Sequence, residues 1–283
     1  MPRPHGERHL PDVVTHAGEP ARRDGWCAPA ARRSHRDRSL DSPAMQPAMI
    51  ARRVSGHVRE RGVAPVLADC ATWAVRWAAH RPRTGRPSRA TFRFDGVEHP
   101  YLRHAYNWTW LNERAVEVPL AAAALAAAEG ARVLEIGNVL GHYQAVTHTV
   151  VDKYEQAPGV LNADVAELDL PGPYDLILAV STLEHVGLDE EVQDSGKPAR
   201  AIERLTSLLA PGGRLWCSHP VGYNPELDRH LQEGRFGFTR LTALRRLGPS
   251  NRWEQVPADD VWGTRYDRLL YTAQAIVVAE LQR

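Results

Sequence analysis

From residue 132 onward, short apolar runs alternate with helical or polar stretches, and this alternation limits the possible folds more than any other feature of the chain. The runs fall at 132–136, 147–151, 159–162, 174–180 and 214–218. Each carries apolar residues and is bounded by residues that favour turns, as buried strands are. "PLAAAALAAAEG" predicts a helix over 116–129, stopped by Gly130, and a second helix is predicted over 199–209 before "APGG". Strands that alternate with helices imply a mostly parallel, doubly wound sheet. "RWEQV" and "AQAIVVAEL" near the C-terminus add two strands at one edge, making a seven-stranded α/β sheet.

The chain has 283 residues, 43% hydrophobic and 24% charged, which suits one sizeable domain plus an extension. Charge is unevenly divided. Residues 1–90 carry 17 Arg, no Lys and 8 acids, a balance of +9, whereas 91–283 carry 18 basic and 26 acidic residues, a balance of −8. Residues 1–45, rich in Pro, Arg, Gly and Ser, are expected to be disordered, and Met45 and Met49 could also serve as starts. Val66, Cys70, Trp73 and Trp77 share one face of a helix predicted near 64–80, which ends in "HRPRTGRPSR". The expected division is therefore a helical, largely disordered extension over 1–90 and a folded domain over 91–283, opening with a hairpin around Asp95-Gly96 in "TFRFDGVEHPYL".

A basic arm can bind nucleic acid, but this one lacks interleaved aromatics and repeated basic motifs, so a solvated extension is the preferred reading. Cys27, Cys70 and Cys217 show no metal-ligand spacing, and no metal is expected. No apolar run reaches the roughly 18–20 residues of a membrane span, and the N-terminus lacks a signal-like apolar segment. These features predict a cytoplasmic protein with reduced thiols.

In open α/β sheets, ligands bind beyond the carboxyl ends of the strands. Glu135 closes the first run, and Gly137 to Gly141 form the turn expected to lead into a helix. Asp152 follows the second run, placed to accept hydrogen bonds from ribose hydroxyls; Asp164 follows the third, and "STLEH" follows the fourth. A dinucleotide requires G-x-G-x-x-G so that backbone amides can cradle its pyrophosphate. Val139 stands at the middle glycine position and no glycine stands at 142, which disfavours an NAD-type ligand. S-adenosylmethionine carries no phosphate and needs only an acid on the first strand and a looser loop.

"VLEIGNVLG" resembles the first motif of class I SAM-dependent methyltransferases, with Val139 replacing a glycine. "VVDKYE", "NADVAELDL", "YDLILAVSTLEHVG" and "RLTSLLAPGGRLWCSHP" resemble the later motifs, in order, over roughly 121–220. More narrowly, "NERAVEVP", "EIGNVLGHY", "VDKYE", "STLEHVGLDE" and "GYNPELD" are similar to a bacterial subgroup of these enzymes. The resemblance implies a Rossmann-like fold with S-adenosylmethionine as cofactor. It places Glu135 and Gly137 near the methionine part, Asp152 on the ribose, Asp164 and Val165 at the adenine, and Ser181 and Thr182 along the other side, with Asn138 and Gly141 also counted among the cofactor-binding residues.

Methyl transfer to a hydroxyl needs a base, for which His185 and His219 are the candidates, with His142 third. Acceptor contacts are expected from Asn107, Trp108, Asn112 and Arg114 in "NWTWLNER", from Glu184, and from Tyr223 and Asn224 in "HPVGYNPELD". Aromatic faces beside amides and charges suit a saccharide or small metabolite. Trp110 is read as packing. The "STLE" segment lacks the motif of base-amino methyltransferases, which disfavours nucleic acid; an RNA methyltransferase using the basic arm is one alternative, and an inactive SAM-fold binding module is another.

Overall fold

The computed structural model describes residues 47–86 and 88–283. The disorder expected over 1–45, the start at Met45 and Cys27 lie outside these residues. In chain order the elements are α1 (Pro47–Arg61), α2 (Val63–His80), β1 (Thr91–Phe94), β2 (Val97–Pro100), α3 (Arg114–Ala126), β3 (Val133–Ile136), β4 (Thr149–Val151) and β5 (Val160–Leu161). They continue with β6 (Tyr174–Val180), α4 (Lys197–Ser207), β7 (Leu209–Pro220), α5 (Pro225–Gln232), β8 (Arg240–Leu247), β9 (Arg252–Pro257) and β10 (Ala275–Gln282). The helix α1, absent from the sequence expectation, precedes the expected α2. Val66 is buried on α2, while Cys70 on the same predicted face is exposed.

The β1–β2 hairpin turns at Asp95 and Gly96, both at positive φ. The main sheet has eight strands in the order β5-β4-β3-β6-β7-β10-β8-β9, one more than the seven expected. The additional strand is β8, "RLTALRRL", whose four Leu and Ala residues are spaced among arginines and so lack a continuous apolar run. β5 through β7 pair in parallel; β10 returns antiparallel between β7 and β8, and β9 closes that edge.

Alternating side chains divide the core between the faces of this Rossmann-like sheet. Val133, Leu176, Leu178 and Val180 pack with Val116 and Leu120 of α3 and with Phe92 and Phe94 of the hairpin. Leu134, Ile136, Ile177 and Ala179 pack with Ile202 and Leu205 of α4 and with Leu227 of α5. The helix expected after the glycine turn is instead a single 3-10 turn, Leu140–His142. The chain must reach Thr149 to begin β4, and Gly141 and the polar residues that follow leave little length for a packed helix. Among the described residues no helix is long and apolar enough to cross a membrane.

Candidate active site

The carboxyl ends of β3, β4 and β6 open into a cleft of about 290 Å³ lined by Gly137, Asn138, Asp152, Asp164, Thr182 and His185, among others. Gly137 has φ +81, and its amide donates to the Val151 carbonyl at 2.7 Å. A Cβ at this position would lie 2.3 Å from Thr182 Oγ1, so only glycine lets the first loop press against the turn after β6. Val139 also lines the cleft, but with φ −95 and ψ −53, a conformation open to any L-residue. Its substitution for glycine therefore requires no backbone strain.

Glu135 takes a different role from the one expected. It is fully buried, and its Oε1 accepts from the amides of Val139 at 3.0 Å and Leu140 at 2.7 Å, while His148 Nε2 lies 2.6 Å from Oε2. The carboxylate lies beneath the loop and shapes it without lining the cleft. Gly141 does not line it either; a Cβ there would meet Asn138 Oδ1 at 2.4 Å, so this glycine makes room for the asparagine. Asn138 in turn donates from Nδ2 to Glu155 Oε1 at 2.7 Å.

Asp152 is half-buried at the end of β4. Its Oδ1 accepts from the amides of Tyr154 and Glu155, at 2.9 and 2.8 Å, and Oδ2 accepts from Asn138 N at 3.1 Å. A carboxylate offers about four acceptor sites, so capacity remains on Oδ2 toward the cleft. Glu155 and Tyr106, which the sequence did not single out, line the same end; His142 Nε2 lies 3.0 Å from Glu155 Oε2 and its ring stacks on Tyr106 at 3.9 Å.

At the opposite end Asp164 Oδ1 caps the turn that begins at Val165, accepting from Ala166 N, and Oδ2 receives Lys153 Nζ at 2.8 Å and Lys197 Nζ at 2.5 Å. Both lysines also reach Glu190 Oε2, at 2.9 and 2.5 Å. Burial alone would raise the Asp164 pKa, but the two ammonium groups outweigh it and hold the carboxyl down at about 2. Lys153, Glu190 and Lys197 were not legible as a cluster because their partners are distant in sequence.

Ser181 lines the cleft with φ +41, and its hydroxyl donates to buried Glu117 Oε1 at 2.6 Å, a carboxylate also held by Ser218 Oγ and Arg114. Arg114 lines the cleft and donates to the Val180 carbonyl at 3.0 Å. His185 lines it too, with Nδ1 2.5 Å from Asp189 Oδ2, which also accepts from Tyr223 Oη at 2.5 Å. Burial would lower the His185 pKa; the Asp189 hydrogen bond and the Glu184 carboxylate outweigh it and hold the imidazole above its usual value.

The other base candidate does not fit. His219 is 2% exposed, lies outside the cleft and is committed through Nε2 to Asp228 Oδ1 at 3.1 Å. Of the expected acceptor residues, Asn107 and Arg114 line the cleft. Trp108 instead packs edge-on against Trp73 at 5.2 Å. Asn112 holds a turn, donating to Asn107 O and accepting from Arg114 N. Asn224 caps α5 and donates to the Glu184 carbonyl. Trp110 is buried, as a packing residue should be.

No protein-family model matches the chain, and no curated protein does. Solved structures similar to it include a SAM-dependent methyltransferase of Thermotoga maritima described as a possible histamine N-methyltransferase, 18% identical over 56% of this chain and 86% of that one, with TM-score 0.35. The N-methyltransferase NodS of Bradyrhizobium japonicum, solved with S-adenosylhomocysteine, is 15% identical over 60% of this chain and 87% of its own, with TM-score 0.36. A SAM-dependent methyltransferase of Archaeoglobus fulgidus is 15% identical over 62% and 96%, with TM-score 0.39.

Proposed function

We propose that the chain is a cytoplasmic S-adenosylmethionine-dependent methyltransferase acting on an oxygen of a saccharide or other small polar metabolite. The observation that carries this reading is the charge of the cleft. Asp164 and Glu190 are neutralised by two lysines, while at the β4 end Glu155 is paired with His142 and Asp152 has no ion pair among the described residues. A pyrophosphate would meet like charge there, whereas a ligand with a sulfonium, an ammonium and ribose hydroxyls meets acceptors. Gly137 pressed against Thr182 gives the close backbone approach such a ligand needs.

The residues divide the work as follows. Asp152 would hold the ribose, Asp164 and Val165 the adenine, and Gly137 with Asn138 and Arg114 the amino-acid end. When bound, the cofactor supplies an electrophilic methyl group on a sulfonium, with a neutral thioether as leaving group. His185, oriented through Nδ1 by Asp189, leaves Nε2 to take the hydroxyl proton as the C–O bond forms and the C–S bond breaks. Tyr223, hydrogen-bonded to the same Asp189 oxygen, fixes that carboxylate.

Calorimetry with S-adenosylmethionine, S-adenosylhomocysteine and NADH is the direct test. The first two should bind and NADH should not; absence of binding by both sulfur ligands defeats the proposal. Methyl-labelled cofactor incubated with fractionated cell extract should then label a small polar molecule in the fraction that contains the acceptor.

A further inference from the structure

Two acids behind the cleft are almost wholly buried, and they differ in what holds them. Glu184, expected to touch the acceptor, is 1% exposed, lies outside the cleft lining and has no hydrogen-bond partner on either carboxylate oxygen, so it is closed to a ligand. Glu135 has its donors. Oε1 takes the Val139 and Leu140 amides, and Oε2 takes His148 Nε2 at 2.6 Å. A carboxylate only accepts, so Nε2 is the donor in this contact.

His148 is placed to act through that carboxylate. It immediately precedes β4, where Thr149 pairs with Leu134 of β3, so its backbone is anchored beside the strand that carries Glu135. Its side chain is 7% exposed, and its Nδ1 makes no hydrogen bond among the described residues, so the imidazole has one polar duty. The connection from Gly137 to His148 contains a single 3-10 turn and no α-helix to fix its path. Its hold comes instead from the two amides on Glu135, and one of them belongs to Val139, which lines the cleft. An unbroken series of contacts thus runs from His148 through Glu135 to the wall of the cleft. His148 also lines a second cavity, of about 580 Å³, whose walls include Leu125, Ala128, Val133 and Val146. That space is large enough to admit a free imidazole.

We propose that His148 is a positioning residue for cofactor binding. By donating to Glu135 Oε2 it fixes the plane of the carboxylate, and through Oε1 it holds Val139 and Leu140 in the path that presents Gly137 and Asn138 to the ligand. It touches neither cofactor nor acceptor. The identity of the ligand rests on the methyltransferase reading above, whereas the hold on the loop can be measured without any ligand.

The test uses the full chain. In the ligand-free protein, His148→Leu should speed amide exchange of Val139 and Leu140 by about tenfold or more relative to the amides of β6, read by NMR. In calorimetry the same variant should bind S-adenosylhomocysteine about tenfold more weakly than the natural chain. His148→Gln, whose amide can still donate to Oε2, should lose less than about threefold. His148→Ala leaves a vacancy beside the second cavity, so added imidazole should restore most of the lost affinity and should change nothing in the natural chain. Natural exchange rates and affinity in His148→Leu, or equal losses in the Leu and Gln variants, would assign the side chain to packing and overturn the inference. Imidazole without effect on folded His148→Ala overturns it too; if that variant does not fold, the comparison of Leu with Gln decides. Failure of S-adenosylhomocysteine to bind the natural chain removes the methyltransferase reading, and the exchange rates then decide the hold on the loop by themselves.

Discussion

Gly137→Ala isolates the contact on which the cleft depends. The substitution has two separable costs. Holding alanine at φ +81 costs about 1–2 kcal/mol, because Cβ crowds the following carbonyl in the left-handed region. The new Cβ would also lie 2.3 Å from Thr182 Oγ1, 3.0 Å from Cγ2 and 3.2 Å from Cβ. Thr182 is β-branched and its hydroxyl donates to the Val180 carbonyl at 3.1 Å, so it cannot rotate away freely, and relieving the overlap costs about 1–3 kcal/mol more. The expected loss is about 2–5 kcal/mol, read from urea titration of the full chain followed by tryptophan fluorescence. Thr182→Ala removes Oγ1 and Cγ2 but not the φ penalty. In the double variant about 1–2 kcal/mol of the loss should therefore return as a coupling energy. Additivity of the two substitutions within about 0.5 kcal/mol would refute the contact, and an unchanged stability for Gly137→Ala would refute the loop path as well.

Three further outcomes are expected. Glu135→Leu strands the Val139 and Leu140 amides and His148, and should cost about 3–5 kcal/mol in the same titration, with S-adenosylhomocysteine affinity falling as the loop loosens. Asp152→Ala should weaken that ligand by about 1–3 kcal/mol in calorimetry, and an unchanged affinity would remove Asp152 from the ribose. Because His185 must be neutral to take a proton and its pKa is raised, the methylation rate should climb through a pH above about 6.5. Asp189→Asn should move that inflection toward acid, whereas His219→Asn should leave it in place. The sign for stability is opposite: the His185–Asp189 interaction is fully present below about pH 6.5 and lost as pH rises through the raised pKa, so Asp189→Asn should lower the melting temperature more at pH 6 than at pH 9.

Strand positions were legible where burial on both faces gives an uninterrupted apolar run, as in β6, whose bounds match the expectation at both ends. β8 was not, because arginines separate its apolar residues and its Arg246 is buried by tertiary contacts, donating to the Leu111 and Ala273 carbonyls. The acids at the strand ends were legible as a set, but their individual roles were not. Glu135 lies within β3 near its carboxyl end and Asp152 and Asp164 follow β4 and β5, yet the first lies beneath a loop, the second receives three amides and the third is bridged by two lysines. Those differences depend on partners brought in by folding, such as His148, Asn138 and Lys197. The contact of Asp189 with His185 does have a local signature, the i+4 spacing in "EHVGLDE".

The three residues of β4 and the two of β5, with only a 3-10 turn between β3 and β4, leave this edge of the sheet few ladder bonds and no covering helix in the connection. In hydrogen-exchange terms these amides should open at a lower free energy than those of β6, β7 and β10, which are expected to form the protected unit. The edge also carries Asp152, so a ligand seated on that carboxylate raises the cost of opening by RT ln(1 + [L]/Kd). Added S-adenosylhomocysteine should therefore slow exchange over residues 149–161 and leave the central strands unchanged, making the cofactor the stabilising partner that the missing helix would otherwise be.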